Sequence, residues 1–455
     1  MRSTRDDRAV LPLGWALHVP TDEQLDAVRE TPTGMAFATL RRHKVLVQAW
    51  RRLAGTGLPL AGLLREETLP QRRQQLTLPD TWRVLEEIGA GAGYRPALMK
   101  GVAARLWYPD PALRHLGDLD VWLPGQADAW HLCRNLMRYG WRLNGDELPW
   151  VKATGAGDEY GVINMVSTRP DRHDVDIHFG HYSVRHCAWI PLTAGRVADD
   201  SGRPPRLADE DNLAVILANA AGDHAIGLKD VNDILLAAGR GAALDWERVR
   251  HLLGFAGLRE FAAAFVRTAA RLYAGAPREP ESLAVIRREL GGARRPERVP
   301  DGTGSTWLRR SATVRHAWRV GLRDGVRSAA LSAGTAAVYY CLPLRPRLVR
   351  WAGGPVDGVI RDRSPRRCVR LVPLQHLARL AGLQGPPARL DPVAHGGIAW
   401  RQAAGIPYAD NAGAILLPTV YGRLSLSRVR ALTAALSGPA SPIALPPVRS
   451  DDAGR

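Results

Sequence analysis

Two short stretches of this chain alternate carboxylate and apolar residues, and that alternation calls for a strand in each. In the first, Asp118-Leu119-Asp120-Val121 leads to Leu123, with Leu116 just ahead. Successive side chains of a strand point to opposite faces. Asp118 and Asp120 therefore share one face, while Leu119 and Val121 turn into the core. Two carboxylates this close repel each other unless a positive group lies between them. A divalent cation meets that need, and hard Mg²⁺ prefers oxygen ligands together with substrate phosphates. The second stretch, Asp174-Val175-Asp176-Ile177-His178-Phe179, repeats the design. Asp174, Asp176 and His178 take one face; Val175, Ile177 and Phe179 take the other. Laid beside the first strand, it brings Asp176 to Asp118 and Asp120. Three carboxylates on neighbouring strands suit phosphoryl transfer assisted by two metal ions roughly 3.5–4 Å apart.

Upstream, Pro96-Ala97-Leu98-Met99 reads as a strand that ends at Lys100-Gly101, and residues 102–107 read as a helix. A strand–glycine–helix junction turns backbone N–H groups outward at a helix start, which suits phosphate. Lys100 adds a point charge there. The lysines are Lys44, Lys100, Lys152 and Lys229, and arginine supplies the other cations. Arg114 lies four residues before Asp118, where its planar fork fits a triphosphate. The alternative is a salt bridge that steadies the acidic strand. Asp174 is the weaker ligand and suits solvent equally well. His178 is either a satisfied core histidine or a participant beside the carboxylates. His173, His178, His181 and His186 follow no common zinc spacing, and the cysteines add none.

These motifs resemble the minimal nucleotidyltransferases of the DNA polymerase beta superfamily. Within them the chain is most similar to an uncharacterised bacterial nucleotidyltransferase family with the pattern Lys-Gly, Tyr-Pro, Arg, Gly-Asp-x-Asp, Asp-x-His. Here these are Lys100-Gly101, Tyr108-Pro109, Arg114, Gly117-Asp118-Leu119-Asp120 and Asp176-Ile177-His178. Lys-Gly replaces the superfamily's usual Gly-Ser, as in that family, and Phe179 stands where the family often has Trp. The resemblance covers about residues 35–350. It implies transfer of a nucleoside monophosphate from an NTP, with Mg²⁺ (or Mn²⁺) held by Asp118, Asp120 and Asp176. It implies phosphate contacts from Lys100, Gly101, Arg114 and Gly117. It also implies a helical region packed beside the sheet, closing the nucleotide cleft, with Asp233 at a position where the family carries an aspartate. The acceptor stays open: a small molecule, a peptide, a protein or RNA.

The expected fold is α+β: a small mixed-sheet core, a helical lobe and an extra C-terminal domain. The expected divisions are a helical N-terminal region at 1–93, the core at 94–200, the lobe at 201–352 and a C-terminal region at 353–455. Residues 1–33 look irregular, 35–53 carry apolar residues at helical spacing, and Asp80 suits the cap of a helix over 81–88. Further helices are expected over 126–139, 208–221 and from Trp246, capped by Asp245. Residues 160–167 read as a strand. Gly155, Gly157, Gly396-Gly397 and Asn411-Ala412-Gly413 read as turns. Residues 414–417 read as a strand that Pro418 ends, 425–436 as a helix and 439–455 as a loose tail.

A net charge of +17 across 455 residues fits either an anionic partner such as RNA or a general arginine bias. The arginines are scattered, which favours bias; the densest cluster lies within 361–367. Cys133, Cys187, Cys341 and Cys368 are far apart and read as free thiols in a reducing, cytoplasmic setting. Residues 1–10 are charged and carry no apolar h-region, so no secretory signal is expected. The most apolar stretch, 328–344, reads as a buried helix, so no stable membrane association is expected. Two rivals to the enzyme stand: a non-catalytic relative that binds a nucleotide or partner in the same cleft, and an RNA-binding protein. Three intact carboxylates argue against the first.

Overall fold

The computed structural model describes residues 20–330 apart from short interruptions, then 333–334 and five strands between 359 and 419. The central sheet is mixed and eight-stranded, in the order β3-β5-β6-β2-β1-β10-β9 with β4 also on β5. Its strands are β1 (Ala97–Leu98), β2 (Asp118–Leu123), β3 (Trp141–Leu143), β4 (Trp150–Ala153), β5 (Glu159–Ser167), β6 (Asp174–Phe179), β9 (Val197–Ala198) and β10 (Arg206–Leu207). A separate hairpin pairs β7 (Tyr182–Val184) with β8 (Ala188–Ile190).

The two alternating stretches are β2 and β6, and they lie side by side, parallel and in register. Asp118 stands opposite Asp174, Asp120 opposite Asp176 and Trp122 opposite His178. Leu119, Val121 and Leu123 join Val175, Ile177 and Phe179 in one buried cluster. That face is covered by α6 (Leu78–Ala92) and α8 (Gln126–Arg138), which contribute Trp82, Leu85, Ile88, Leu132 and Leu136. The carboxylates are therefore left on the other face, as the pleat requires.

Around that second face lie α1 (Asp22–Glu30), α2 (Thr33–Arg42), α3 (Leu46–Leu53), α4 (Pro59–Glu67) and α5 (Leu69–Leu76). Beyond the sheet come α9 (Asp209–Asp223), α10 (Leu228–Ala238), α11 (Trp246–Phe255), α12 (Arg259–Leu272), α13 (Glu281–Leu290) and α14 (Thr306–Gly321). Between β1 and β2 sits the short α7 (Lys100–Ala104). Residues from α1–α4 and from α9–α13 belong to one continuous apolar cluster with Trp122 of the sheet. The N-terminal helices and the helical lobe thus share a core.

Several local expectations change. Residues 1–33 are not wholly irregular: Thr21 and Gln24 form a reciprocal capping box that starts α1. The helix expected over 35–53 breaks in two at Lys44, whose φ is +56°. Asp80 lies in the first turn of α6 and does not cap it; the cap position is Thr77. Asp245 does cap α11, accepting from the Arg248 amide at 3.0 Å. In the C-terminal region, strands β11 (Val359–Arg361), β12 (Cys368–Pro373), β13 (Ala399–Ala403), β14 (Ile406–Asn411) and β15 (Ala414–Thr419) form a sheet in the order β11-β12-β15-β14-β13. Pro418 continues β15 instead of ending it. Pairing with β14 stops at Leu416, so Pro418 faces only β12 and its missing N–H leaves no second ladder incomplete. The turns at 155–157, 396–397 and 412–413, the helix at 425–436, the tail at 439–455 and most of 328–344 lie outside the described residues, as do Cys187 and Cys341. Among the described residues no helix is long and apolar enough to cross a membrane.

Candidate active site

The β2–β6 register sets the site. One ligand atom each from Asp120, Asp176 and His178 lies within 4.8 Å of the others. Two carboxylates and an imidazole form a donor set suited to a divalent cation. Asp118, one pleat away at the strand's exposed start, lines the same cleft. The register sets Asp120 opposite Asp176, with His178 one pleat further on, while Asp118 stands opposite Asp174 and outside that group. Asp174 is structural: its Oδ1 accepts the Ser167 amide at 2.8 Å.

Electrostatics divide the carboxylates. Burial opposes ionisation of Asp120, but Lys100 and His178 outweigh it and hold the group at about 2. Lys100 Nζ donates to Asp120 Oδ1 at 2.7 Å, and His178 Nε2 lies 3.2 Å from the same oxygen. Asp118 goes the other way: Asp120 beside it, with burial second, raises it to about 6. Burial and then Lys100 push His178 down to about 4, so its imidazole is neutral near pH 7. For Lys100, burial works against the charge, but Asp120 overcomes it and the ammonium is held above its ordinary range. Its Nζ also stands 5.5 Å from the centre of the Tyr182 ring.

Lys100 is the first residue of α7 and takes a left-handed φ of +50°. Asn212, fully buried in α9, holds it there. The Asn212 Oδ1 accepts the Lys100 amide at 2.5 Å, and its Nδ2 donates to the Lys100 carbonyl at 3.2 Å. The next residue must be small: a Cβ on Gly101 would lie 2.7 Å from Arg114 Nη2.

Arg114 lines the cleft, but its fork is spent on Asp233. Nε donates to Asp233 Oδ1 and Nη2 to Oδ2, both at 2.8 Å, and Nη1 donates to the His115 carbonyl at 2.5 Å. Tyr108 donates to Asp233 Oδ1 at 2.6 Å, and beyond it the network runs through Gln48 and Asn232 to Tyr273. The Tyr-Pro, Arg and downstream Asp positions therefore meet as one buried strut beneath Lys100-Gly101. Gly117 is exposed, with open space around its Cα.

These groups open on a cavity of about 430 Å³ lined by Lys100, Gly101, Gly117, Asp118 and Asp120, and by Arg41, Lys44 and Lys229. Sequence reasoning missed Asn212, Arg41, Lys44 and Lys229. Asn212 carried one signal: an amide in the buried stripe of a helix, where it needs a specific partner. A family model described as an uncharacterised nucleotidyltransferase matches residues 33–274. No curated protein and no solved structure matches the chain.

Proposed function

The chain belongs to the uncharacterised nucleotidyltransferase family, and from that membership we propose a metal-dependent transfer of a nucleoside monophosphate from an NTP to an acceptor oxygen or nitrogen. The observation that carries the reading is the in-register β2–β6 pair, which gathers Asp176 and His178 beside Asp120, a residue that lines a cleft together with several cations. Asp118, Asp120 and Asp176 would hold the ions. Mg²⁺ or Mn²⁺, when bound, supplies charge neutralisation at the phosphates and polarises the acceptor.

The chain's own residues do the rest. Asp176, on the later strand, takes the acceptor's proton. The acceptor atom then bonds to the α-phosphorus, the bond to the α–β bridging oxygen breaks, and pyrophosphate leaves. Lys100 balances Asp120 and offers its remaining donors to phosphate, while the amides of Gly101 and Gly117 allow close approach. Arg114 serves chiefly through Asp233, fixing the segment that leads into β2. Catalysis is then mostly positioning and charge stabilisation. An NTP-rich cytoplasm suits this chemistry. The acceptor class stays open among small molecules, peptides, proteins and RNA.

Thermal denaturation with each of the four NTPs and Mg²⁺ or Mn²⁺ tests the reading. At least one pair is expected to raise Tm, because a ligand that binds only the native state stabilises it. Asp118→Asn/Asp120→Asn should abolish the shift. No shift with any nucleotide or ion would remove the proposal.

A further inference from the structure

We propose that Arg41 and Lys44, at the α2–α3 turn, bind the β and γ phosphates of the nucleotide, with Lys229 beside them; the assignment rests on the nucleotidyl-transfer reading. It adds contacts from the N-terminal helices to those that the Lys-Gly turn offers.

The cations first expected to meet the phosphates already have partners. Lys100 is on Asp120 and Arg114 is on Asp233. Lys229 is 3.2 Å from Asp230. Arg41 and Lys44 line the same cavity, are exposed, and have no side-chain partner among the described residues. A metal-bound triphosphate needs both kinds of lining: carboxylates for the ion and free cations for the terminal phosphates. Two residues of the lining, Gln71 and His115, each carry a buried polar atom, Oε1 and Nδ1, without a hydrogen-bond partner among the described residues.

The backbone gives a second, independent sign. Lys44 holds φ +56° where a helix ends, a position that favours glycine. Lys100 is left-handed too, so two of the three lysines that line the cleft occupy costly conformations. Strain of this kind gathers at functional sites and persists only where neighbours enforce it. Here the neighbour is His43. Its carbonyl accepts the Lys229 amide at 3.2 Å, and its Nδ1 accepts the Leu228 amide at 3.1 Å. That pins the α2–α3 turn to the start of α10 and sets Lys44 and Lys229 on one rim. A glycine at 44 would relax the turn but remove the charge.

The test is calorimetric titration of the full chain with ATP, GTP, CTP and UTP and with the matching monophosphates, all with Mg²⁺. The wild type should bind at least one NTP more tightly than its monophosphate. Arg41→Gln and Lys44→Gln should each weaken that NTP by about tenfold. The double variant should lose the preference for NTP over NMP, while NMP affinity stays within about twofold. Lys44→Gly should keep or raise Tm yet lose NTP affinity, a combination that a purely structural lysine would not give. Wild-type NTP affinity in the double variant would overturn this assignment and leave the nucleotidyl-transfer reading standing. A wild type that binds none of the nucleotides would remove both.

Discussion

At Arg114 one guanidinium explains three positions of the motif. It needs Asp233 as its partner, Tyr108 as a second donor to that carboxylate, and no side chain at residue 101. Asp233 is fully buried, so the pair tolerates no loose replacement. Lysine keeps the charge but not the fork, and Arg114→Lys is expected to cost about 2–4 kcal/mol in urea unfolding. Gly101→Ala drives a methyl into the same group, which the Asp233 contacts hold in place, and should cost about 1–3 kcal/mol. The two effects should couple in a double-mutant cycle, because one side chain mediates both; additive costs would refute the shared origin. Asp118 yields a pH prediction. Its carboxyl is raised to about 6 from 3.8, so between those values the folded chain holds a proton that the unfolded chain has lost. This group's contribution to stability is therefore fully present below about pH 4 and is lost as pH rises through about 6. Ion binding must expel that proton, so Mn²⁺ affinity should fall by up to about tenfold per pH unit below 6 and level off above it. Mn²⁺ titrations at pH 5, 6 and 7.5 would decide, and an affinity flat across that window would disprove the protonated Asp118.

At the scale of elements, what could be read from the sequence was what is local. The alternation in β2 and β6 has period two and lies within six residues each, so face and strand were both legible; the β6 bounds match the stretch Asp174–Phe179. Asp245 as the cap of α11 was legible for the same reason. The break at Lys44 was not, because a lysine carries no local signal for a left-handed turn. The hold of Asn212 on Lys100 joins residues 112 apart and that of Arg114 on Asp233 joins residues 119 apart, distances at which one sequence offers no pairing rule. The importance of α9 is therefore a structural finding. Asn212→Ala removes both hydrogen bonds to the Lys100 backbone and leaves its amide and carbonyl without those partners. The expected cost is about 1–3 kcal/mol. Nucleotide affinity should fall with it, since the ammonium on Asp120 loses its fixed origin. Unchanged Mg²⁺–NTP affinity in a folded Asn212→Ala protein would show that α7 holds Lys100 unaided.

For the molecule as a whole, the question is which parts form one cooperative unit. Leu40, Ala49 and Leu53 of the N-terminal helices are fully buried, in the same cluster as Leu213, Leu235 and Phe265 of the helical lobe. A division at residue 93 therefore cuts through a core and not between cores, and the site itself draws on both sides of that division, with Arg41 and Lys44 on one and Asp118, Asp120 and Asn212 on the other. A chain lacking residues 1–54 would bare the lobe's apolar face, and it should be insoluble or bind no nucleotide. The C-terminal sheet differs: β11 to β15 pair only with one another among the described strands, and no described residue lining the cleft comes from beyond Asp233. A fragment spanning 20–330 should then unfold in a single transition and bind Mg²⁺–NTP as the full chain does. Calorimetric melting of both, with and without nucleotide, is the measurement. Two separate transitions within the fragment would mean that the N-terminal helices and the lobe fold apart despite their shared core. Loss of nucleotide binding on removing the last 125 residues would mean that the C-terminal region reaches the cleft.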